Sequence, residues 1–397
     1  MQKQLQVTLV SLRSNLFPKG RRYGIDHQPL TESAELVLVF RAELIFAKRF
    51  LMQKKPQKRS VCTFAALIAV ALVASNCLPK PPSESGDINI TLYAFSIMKE
   101  SMEKSIFPGF AAKWKQSHGQ DVRFTSSFAG SETVTNQILQ GVDADIAILS
   151  IERDVFRLRD GGFVTGDWRS GPHRGILNKT PFVMLVRGGN PKGIHDFSDL
   201  AKRGVEIIHP DPVSSGGAQW SILAIYGSEL VNTKEQTGDE DQARALHMLR
   251  AIWANVKSTP GSAREARTQF ETGFGDVLVT YELEGLLMKQ SKKTPIEIVV
   301  PKSTIFSEHP AVVIDKNVPA GKRAIVDAFM EYLWSDEAQQ AFVKNYFYSV
   351  TNNALNDASP DFGKVQIPFT IEKFGGWERA YPEVIEKIFR DQVQRAK

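Results

Sequence analysis

Three short stretches of this chain place serine and glycine where a strand gives way to a helix. They are AFSIMKE around Ser96, SFAGSET with Gly130 and Ser131, and PDPVSSGGAQW with Ser215, Gly216 and Gly217. A helix start leaves N–H groups without an intrahelical acceptor and carries a partial positive charge, so it can receive an anion. Glycine allows close backbone approach, and serine adds a hydroxyl donor. The same residues also serve as ordinary N-caps. Their recurrence in three loops of one chain is what points to a shared anion. Patterns for bond-breaking chemistry are missing from the sequence: it has no GxSxG elbow, no HExxH and no P-loop. No histidine is placed by motif to activate Ser215 as a nucleophile. His173, His195, His209 and His309 lack metal-ligand spacing and read as loop residues, so no metal or cofactor is expected.

These loops need strands and helices to hold them. INITLYAF, VRFTSSF and ADIAILS read as strands separated by the helical stretches SMEKSIFPGFAAKWKQ and TVTNQILQGV. That β-α-β-α-β order implies a parallel sheet covered by helices. PFVMLVRGGN reads as a further strand, IHDFSDLA as a helix, VEIIHPDP as strand and turn, and AQWSILAIYGSEL as a helix. DQARALHMLRAIWANV is helical, GDVLVTYE is a strand, EIVVPKSTIFSEHPAVVID looks like two paired strands, and KRAIVDAFMEYLWSDEAQQAFVKN is helical. Trp114, Trp220 and Trp253 fall on helices as core residues. Asp143 and Asp145 flank a strand start and read as structural. Asp276 and Glu282 suggest turn or hinge hydrogen bonds. Two α/β lobes account for the pattern, each a mostly parallel sheet flanked by helices, with ligand expected in the cleft between them. The expected division is 88–179 plus about 305–350 for one lobe and 180–304 for the other. Residues 351–397 are expected to pack on both as C-terminal helices and tail.

The chain has 397 residues and a formal charge of +5. Residues 1–76 hold 12 Lys/Arg and 4 Asp/Glu, so the remainder has 37 basic and 40 acidic residues out of totals of 49 and 44. The basicity therefore belongs to the leader, and the folded part offers no patch for nucleic acid. Met52 opens MQKKPQKRS, followed by the apolar run VCTFAALIAVALVAS. A basic stretch, a run shorter than a membrane span, and small residues at its end make 52–76 an export signal. Residues 1–51 are then expected to be a misassigned extension, with Met52 the true start. Of the two cysteines, Cys62 lies in the signal and Cys77 follows it in LVASNC. That leaves no intrachain disulfide in the exported chain, and Cys77 is a candidate lipid anchor. Residues 77–87, with PKPPSESG, read as a tether.

NPKGIHDFSDL, HPDPVSSGGAQW, GFGDVLVTYELEGLL and FGGW at 374–377, in this order, resemble the periplasmic sulfate- and thiosulfate-binding proteins of bacterial ABC importers. The resemblance runs from about Ile90 to about Trp377. It implies a two-lobe periplasmic binding protein fold closing on a tetrahedral oxyanion held by neutral donors. By position, Ser131 supplies a hydroxyl, and Ser215, Gly216 and Gly217 supply the donors of the SSGG start. Ala263 and Ser96 offer backbone N–H groups. Tyr281 stands where several relatives have a tryptophan whose indole reaches the anion, and its hydroxyl can also donate.

The implied protein is exported or periplasmic and monomeric. It passes sulfate to an ABC permease in the inner membrane and is not an enzyme. Phosphate, molybdate, tungstate or a sensing role stay open as alternatives. Glu132 replaces a glycine common in relatives. Turned inward it would repel sulfate and accept a phosphate proton, and we read it as turned outward, complementing the helix dipole. Arg264 and Arg267 read as solvated or lobe-bracing rather than as anion ligands.

Overall fold

The computed structural model describes residues 88–395. The leader, Cys77 and the tether lie outside the described residues. The first strand β1 (Ile88–Phe95) turns through Ser96–Met98 and a π turn at Met102–Ile106 into α1 (Phe107–His118). Then come β2 (Val122–Ala129), α2 (Ser131–Leu139), β3 (Ile146–Ile148) and α3 (Glu152–Asp160). β4 (Ile176–Arg187) is long and leads to β5 (Ile207–Ile208), α4 (Gly216–Thr237), α5 (Gln242–Ala254), β6 (Val256–Ser258) and α6 (Ala263–Glu271). β7 (Val277–Tyr281), α7 (Glu282–Ser291), β8 (Ile296–Val299), β9 (Ser303–Val313), α8 (Ala320–Leu333) and α9 (Asp336–Lys344) follow. The chain closes with Trp377–Ala380 and a π-helical segment Tyr381–Gln394.

The strand order is β2-β1-β3-β9-β4-β7-β5-β6. β1, β2 and β3 are parallel, and β9 joins them antiparallel through Ala311–Val313. On the other side β5, β6 and β7 are parallel, and β4 joins them antiparallel. Between the halves run β4 and β9. The first half of β4 pairs with β9 as far as Pro181 opposite Phe306, and from Phe182 its partner becomes β7. Proline has no N–H to donate to a ladder, and this one stands where β4 changes neighbours. The two lobes are thus connected by β4 and β9, which pair with each other between them.

Two expectations change here. EIVVPKSTIFSEHPAVVID does form two strands, but they do not pair with each other. β8 pairs with the second half of β4 and β9 with the first half. β4 is long enough to satisfy both, so the short link at 300–302 steps between registers instead of forming a hairpin. IHDFSDLA contributes only a 3-10 turn, Phe197–Ala201, closed by a capping box from Asp196 and Asp199.

The histidines are a third correction: His309 lies in a strand, while His209 is in a loop as expected but buried. His309 lies in β9, fully buried, with Nδ1 2.7 Å from Asn178 Oδ1 and its ring 4.7 Å from that of Phe95. His209 is buried with Nδ1 2.7 Å from the Pro210 carbonyl and Nε2 against Ser221 Oγ. Burial pushes the two imidazoles down to about 3 and about 4, so both are neutral packing groups.

α4 is buried continuously from Gly216 to Leu230. A helix apolar on every side belongs inside a protein. Its Trp220 meets Trp377 edge to face at 4.7 Å, and Trp253 of α5 meets Phe389 at 4.6 Å. The C-terminal segment also reaches α3, where Arg153 stacks 3.5 Å from the Tyr381 ring centre. Asp145 at the head of β3 accepts from the Thr91 N–H at 2.6 Å and pairs with Lys322. Asp276 accepts from the Glu206 N–H at 2.9 Å. Among the described residues no helix is long and apolar enough to cross a membrane.

Glu282 opens α7 immediately after β7. It accepts from the Gly363 N–H at 2.7 Å and the Tyr348 hydroxyl at 2.9 Å. Burial pushes its carboxyl up to about 7, against the pull of those two donors. The folded chain therefore holds this proton more tightly than the unfolded chain. The stability it contributes is fully present below the ordinary carboxylate range and is lost as pH rises through about 7. Wild type should lose about 3 kcal/mol relative to Glu282→Gln between pH 5 and 8.5. Thermal melts of both proteins across that range test this, and a gap that does not change with pH would show the carboxyl to be charged in the folded chain.

Candidate functional site

The helix starts expected to matter converge. α2 begins at Ser131, with Gly130 as its N-cap in extended conformation at φ −61°. A Cβ on Gly130 would lie 2.2 Å from the Ser214 carbonyl oxygen and 2.7 Å from that of Gly261. The first lobe therefore touches the second backbone to backbone, at the loops that lead into α4 and α6. α4 begins at Gly216 with Ser215 as N-cap, and the Ser215 side chain makes no cap hydrogen bond. Its hydroxyl is not spent on the helix. A Cβ on Gly216 would lie 2.8 Å from Ser150 Cβ and Oγ, and one on Gly217 would lie 2.8 Å from the Tyr281 hydroxyl. Glycine at these positions is a packing requirement, since neither has a positive φ.

α6 begins at Ala263, capped by Ser262, whose hydroxyl accepts from the Glu265 N–H at 3.2 Å. The next amide, Arg264 N–H, points to Ser96 Oγ at 3.4 Å. Ser96 and the α6 start thus face each other across the lobes. Phe95, just before Ser96, lies 6.2 Å ring to ring from Tyr281. All seven residues singled out in the sequence, Ser96, Ser131, Ser215, Gly216, Gly217, Ala263 and Tyr281, are buried around this one junction.

One residue that sequence reasoning missed organises the junction. Ser150, at the carboxyl end of β3 and 1% exposed, uses every polar atom it has. Its N–H donates to Ser131 Oγ at 3.0 Å. Its hydroxyl shares a hydrogen bond of 2.7 Å with the Tyr281 hydroxyl. Its carbonyl accepts from Trp220 Nε1 at 2.7 Å. A serine at a strand end in a doubly wound sheet is a weak signal, although ligands gather at such ends. Burial pushes the Tyr281 phenol well above its ordinary value, so it stays a protonated donor.

Ser131 is committed differently from expectation. It accepts from Ser150, and its one proton goes to Asp154 Oδ2 at 2.6 Å. Asp154, another residue missed, is fully buried on α3, and its Oδ1 has no hydrogen-bond partner.

The charged residues nearby are paired with each other. Glu132 neither extends into solvent nor stands free to meet a ligand. It is 6% exposed and bound to Arg153 at 2.6 Å and to Arg157 at 2.5 Å. Gln219 Nε2 of α4 also donates to it at 3.1 Å across the lobes. α2 and α3 pack side by side, so α3 can supply both guanidiniums, and the outward reading fails for that reason. Arg264 binds Glu100 of the first lobe and Glu284 of the second, with 2.6 Å to Glu100 Oε2 and 3.0 Å to Glu284. Arg267 lies 2.8 Å from Glu284 and 3.3 Å from Glu271. Of the two readings of these arginines, bracing is the one observed. Among the described residues no group of His, Cys, Asp and Glu could hold a metal ion.

Residues 94–348 match the family described as bacterial extracellular solute-binding protein. A sulfate-binding protein of Synechococcus elongatus is 32% identical over 336 residues, covering 84% of this chain and 94% of its own. A thiosulfate-binding protein of Escherichia coli is 33% identical over 333 residues, covering 81% and 93%. The solved structure of the sulfate-binding protein SubI from Mycobacterium tuberculosis aligns with a TM-score of 0.67 and 30% identity, covering 74% of this chain and 98% of that one. Matches of this extent place the chain in a family: it belongs to the bacterial extracellular solute-binding proteins and is a relative of those that bind sulfate and thiosulfate.

Proposed function

We propose that this chain is the solute-binding component of an ABC importer, capturing sulfate, or thiosulfate as its near analogue, between the two lobes. The observation that carries this reading is the charge arrangement. Glu132 is paired with Arg153 and Arg157, and Arg264 and Arg267 are paired with Glu100 and Glu284, so each of these charges already has a counter-ion. The junction itself presents amides and hydroxyls. Helix starts at α2, α4 and α6 supply N–H groups that no carbonyl of their own helix can reach. In this reading Gly216, Gly217, Ala263 and Ser96 give backbone donors, and Ser131, Ser215 and Tyr281 give hydroxyls. Hydrogen bonds to an ionised acceptor are worth about 1.5–3 kcal/mol each, so several together offset the loss of the anion's water.

Sulfate is fully ionised at neutral pH and needs only donors. Hydrogen phosphate brings a proton that needs an acceptor, and the obvious candidate, Glu132, has both oxygens occupied by Arg153, Arg157 and Gln219. An unpaired buried O–H is a strong basis for rejection. Closure is linked to the anion because donors come from both lobes, and an ABC permease would then read the closed shape. We infer a monomeric binding protein without turnover. Its export would depend on 52–76, with Cys77 as the candidate tether.

Calorimetric titration of the chain with sulfate, thiosulfate and phosphate at pH 7 tests the assignment. Saturable sulfate binding is expected, with phosphate at least about a hundredfold weaker, or about 2.7 kcal/mol. Tight phosphate binding with sulfate rejected would overturn it.

Gly130→Ala isolates closure, because φ −61° suits alanine and only the opposite lobe objects. Sulfate affinity should fall at least about a hundredfold, and small-angle scattering should show no contraction with sulfate. Melting without sulfate should shift little. Wild-type affinity in this variant would mean that the contact between Gly130 and Ser214 is not part of the binding state. Gly216→Val, which forces a side chain onto Ser150, should abolish binding with the fold retained.

A further inference from the structure

Ser131 presents a problem of hydrogen-bond valence at the centre of the proposed site, and this inference rests on the oxyanion reading above. A serine hydroxyl has one proton to give and two lone pairs to receive. Ser131 Oγ already receives the Ser150 N–H at 3.0 Å, and its proton goes to Asp154 at 2.6 Å. If the hydroxyl turned its proton to an anion, Asp154 would lose its one close donor. A fully buried carboxylate would then have Oδ1 and Oδ2 both without a hydrogen bond, since Oδ1 has none to begin with. Such an orphaned charge is among the costliest defects a protein interior can hold.

A proton on Asp154 removes the conflict. A carboxylic acid at the same position donates to Ser131 Oγ across the same 2.6 Å. Ser131 then receives twice, from Ser150 and Asp154, and gives once, to the anion. Every site on the hydroxyl is used.

We propose that Asp154 is a positioning residue for the anion, and that the bound state carries a proton on Asp154 which aims the Ser131 hydroxyl into the site.

The surroundings agree. From α2, Glu132 faces Asp154, and from α3 itself Arg157 lies 3.6 Å and Arg153 4.0 Å from Oδ1. The β3 end contributes the neutral Ser150, and α4 contributes the neutral Gln219 by way of Glu132. Both guanidiniums are held more tightly by Glu132, at 2.5 and 2.6 Å, so Asp154 keeps only the longer ion pairs at 3.6 and 4.0 Å and receives no hydrogen bond from either arginine. Burial, and next the charge on Glu132, push its carboxyl up to about 8. With the proton on, these four ionisable groups sum to one positive charge behind the site. With it off they sum to zero, and a carboxylate stands one hydroxyl away from a dianion.

The linkage has a definite sign. Binding favours the protonated acid, so affinity is at its full value well below the carboxyl's value in the free protein and falls above it. Above about pH 8 the dissociation constant should rise about tenfold per pH unit, one proton being taken from solvent for each anion bound.

The experiment is calorimetric titration of the full-length chain with sodium sulfate from pH 6 to 9.5. At pH 9 it is repeated in Tris and in borate, whose ionisation heats differ. Expected are a flat profile to about pH 7.5, a loss of about thirtyfold by pH 9.5, and a buffer-dependent heat corresponding to nearly one proton taken up. Asp154→Asn, whose amide donates to Ser131 permanently, should flatten the profile and bind sulfate more tightly than wild type at pH 9.5. An affinity that stays flat to pH 9.5 with equal heats in the two buffers would overturn the role of Asp154 while leaving the oxyanion assignment standing. So would an Asp154→Asn variant that keeps the wild-type slope. Absence of sulfate binding at every pH would instead defeat the assignment itself, and this inference with it. Should the variant fail to fold, the two-buffer comparison on wild type decides alone.

Discussion

Ser150 joins the two lobes of this protein. Its three polar groups go to three different elements: the N–H to α2, the hydroxyl to the end of β7, and the carbonyl to Trp220 on α4. Two of those elements belong to the opposite lobe. The backbone of a strand end cannot supply such connections unless its neighbours come very close, which is why Gly216 presses on Ser150 and Gly217 on Tyr281 with no space for a methyl group. The glycines of SSGG therefore serve two ends at once. They leave amides uncovered at a helix start, and they let the second lobe approach closely enough for one serine to bridge it.

Charge is kept one layer back. Burying an ion is tolerable when its partner is adjacent and its remaining hydrogen bonds are made. Arg264 meets this by gripping Glu100 in one lobe and Glu284 in the other, with Arg267 supporting Glu284. Glu132 meets it through two arginines of α3, one of them stacked on Tyr381 from the C-terminal segment. These networks set the register in which the lobes meet. The buried acid Asp154 lies beside them, with the guanidiniums of Arg157 and Arg153 at 3.6 and 4.0 Å.

Much of this was legible in the sequence, for identifiable reasons. INITLYAF and VRFTSSF stand out because each is a short stretch mixing apolar and β-branched or hydroxyl residues between helical stretches, and they appear as β1 and β2 within a residue of the expected ends. The SSGG helix start stands out because its composition is local. Ser150 does not, since its partners lie 19, 70 and 131 residues away and nothing next to it marks the role. Asp154 sits among charged residues in IERDVFRLRD, where a solvated helix face is the natural reading, and only packing of α3 against α2 buries it. His309 was read as a loop residue although it falls within EIVVPKSTIFSEHPAVVID, a stretch itself read as strands. β9 lies at the centre of the sheet, covered on both sides, where the alternation that marks a half-exposed strand is lost. Tyr281 is the one position where the chain departs from the relatives it resembles and yet keeps a donor in place.

The polarity of the lobe junction explains how closure can respond to a small anion. An apolar junction of the same extent would hold itself shut, because burying hydrocarbon is favourable whatever occupies the cleft. Here, beside the Phe95–Tyr281 ring contact and the Arg264–Glu100 ion pair, hydrogen bonds and glycine backbones cross it: Gln219 to Glu132, Trp220 to Ser150, Ser150 to Tyr281, Gly130 on Ser214. Each of these bonds replaces one made to water in the open state, so each contributes only about 1 kcal/mol net. The sum can lie near balance, where a few kcal/mol of ligand contacts made only in the closed form change the populations by orders of magnitude. In the proposed reading a dehydrated oxyanion would supply that difference, since its acceptors would meet donors from both lobes only when the glycines touch.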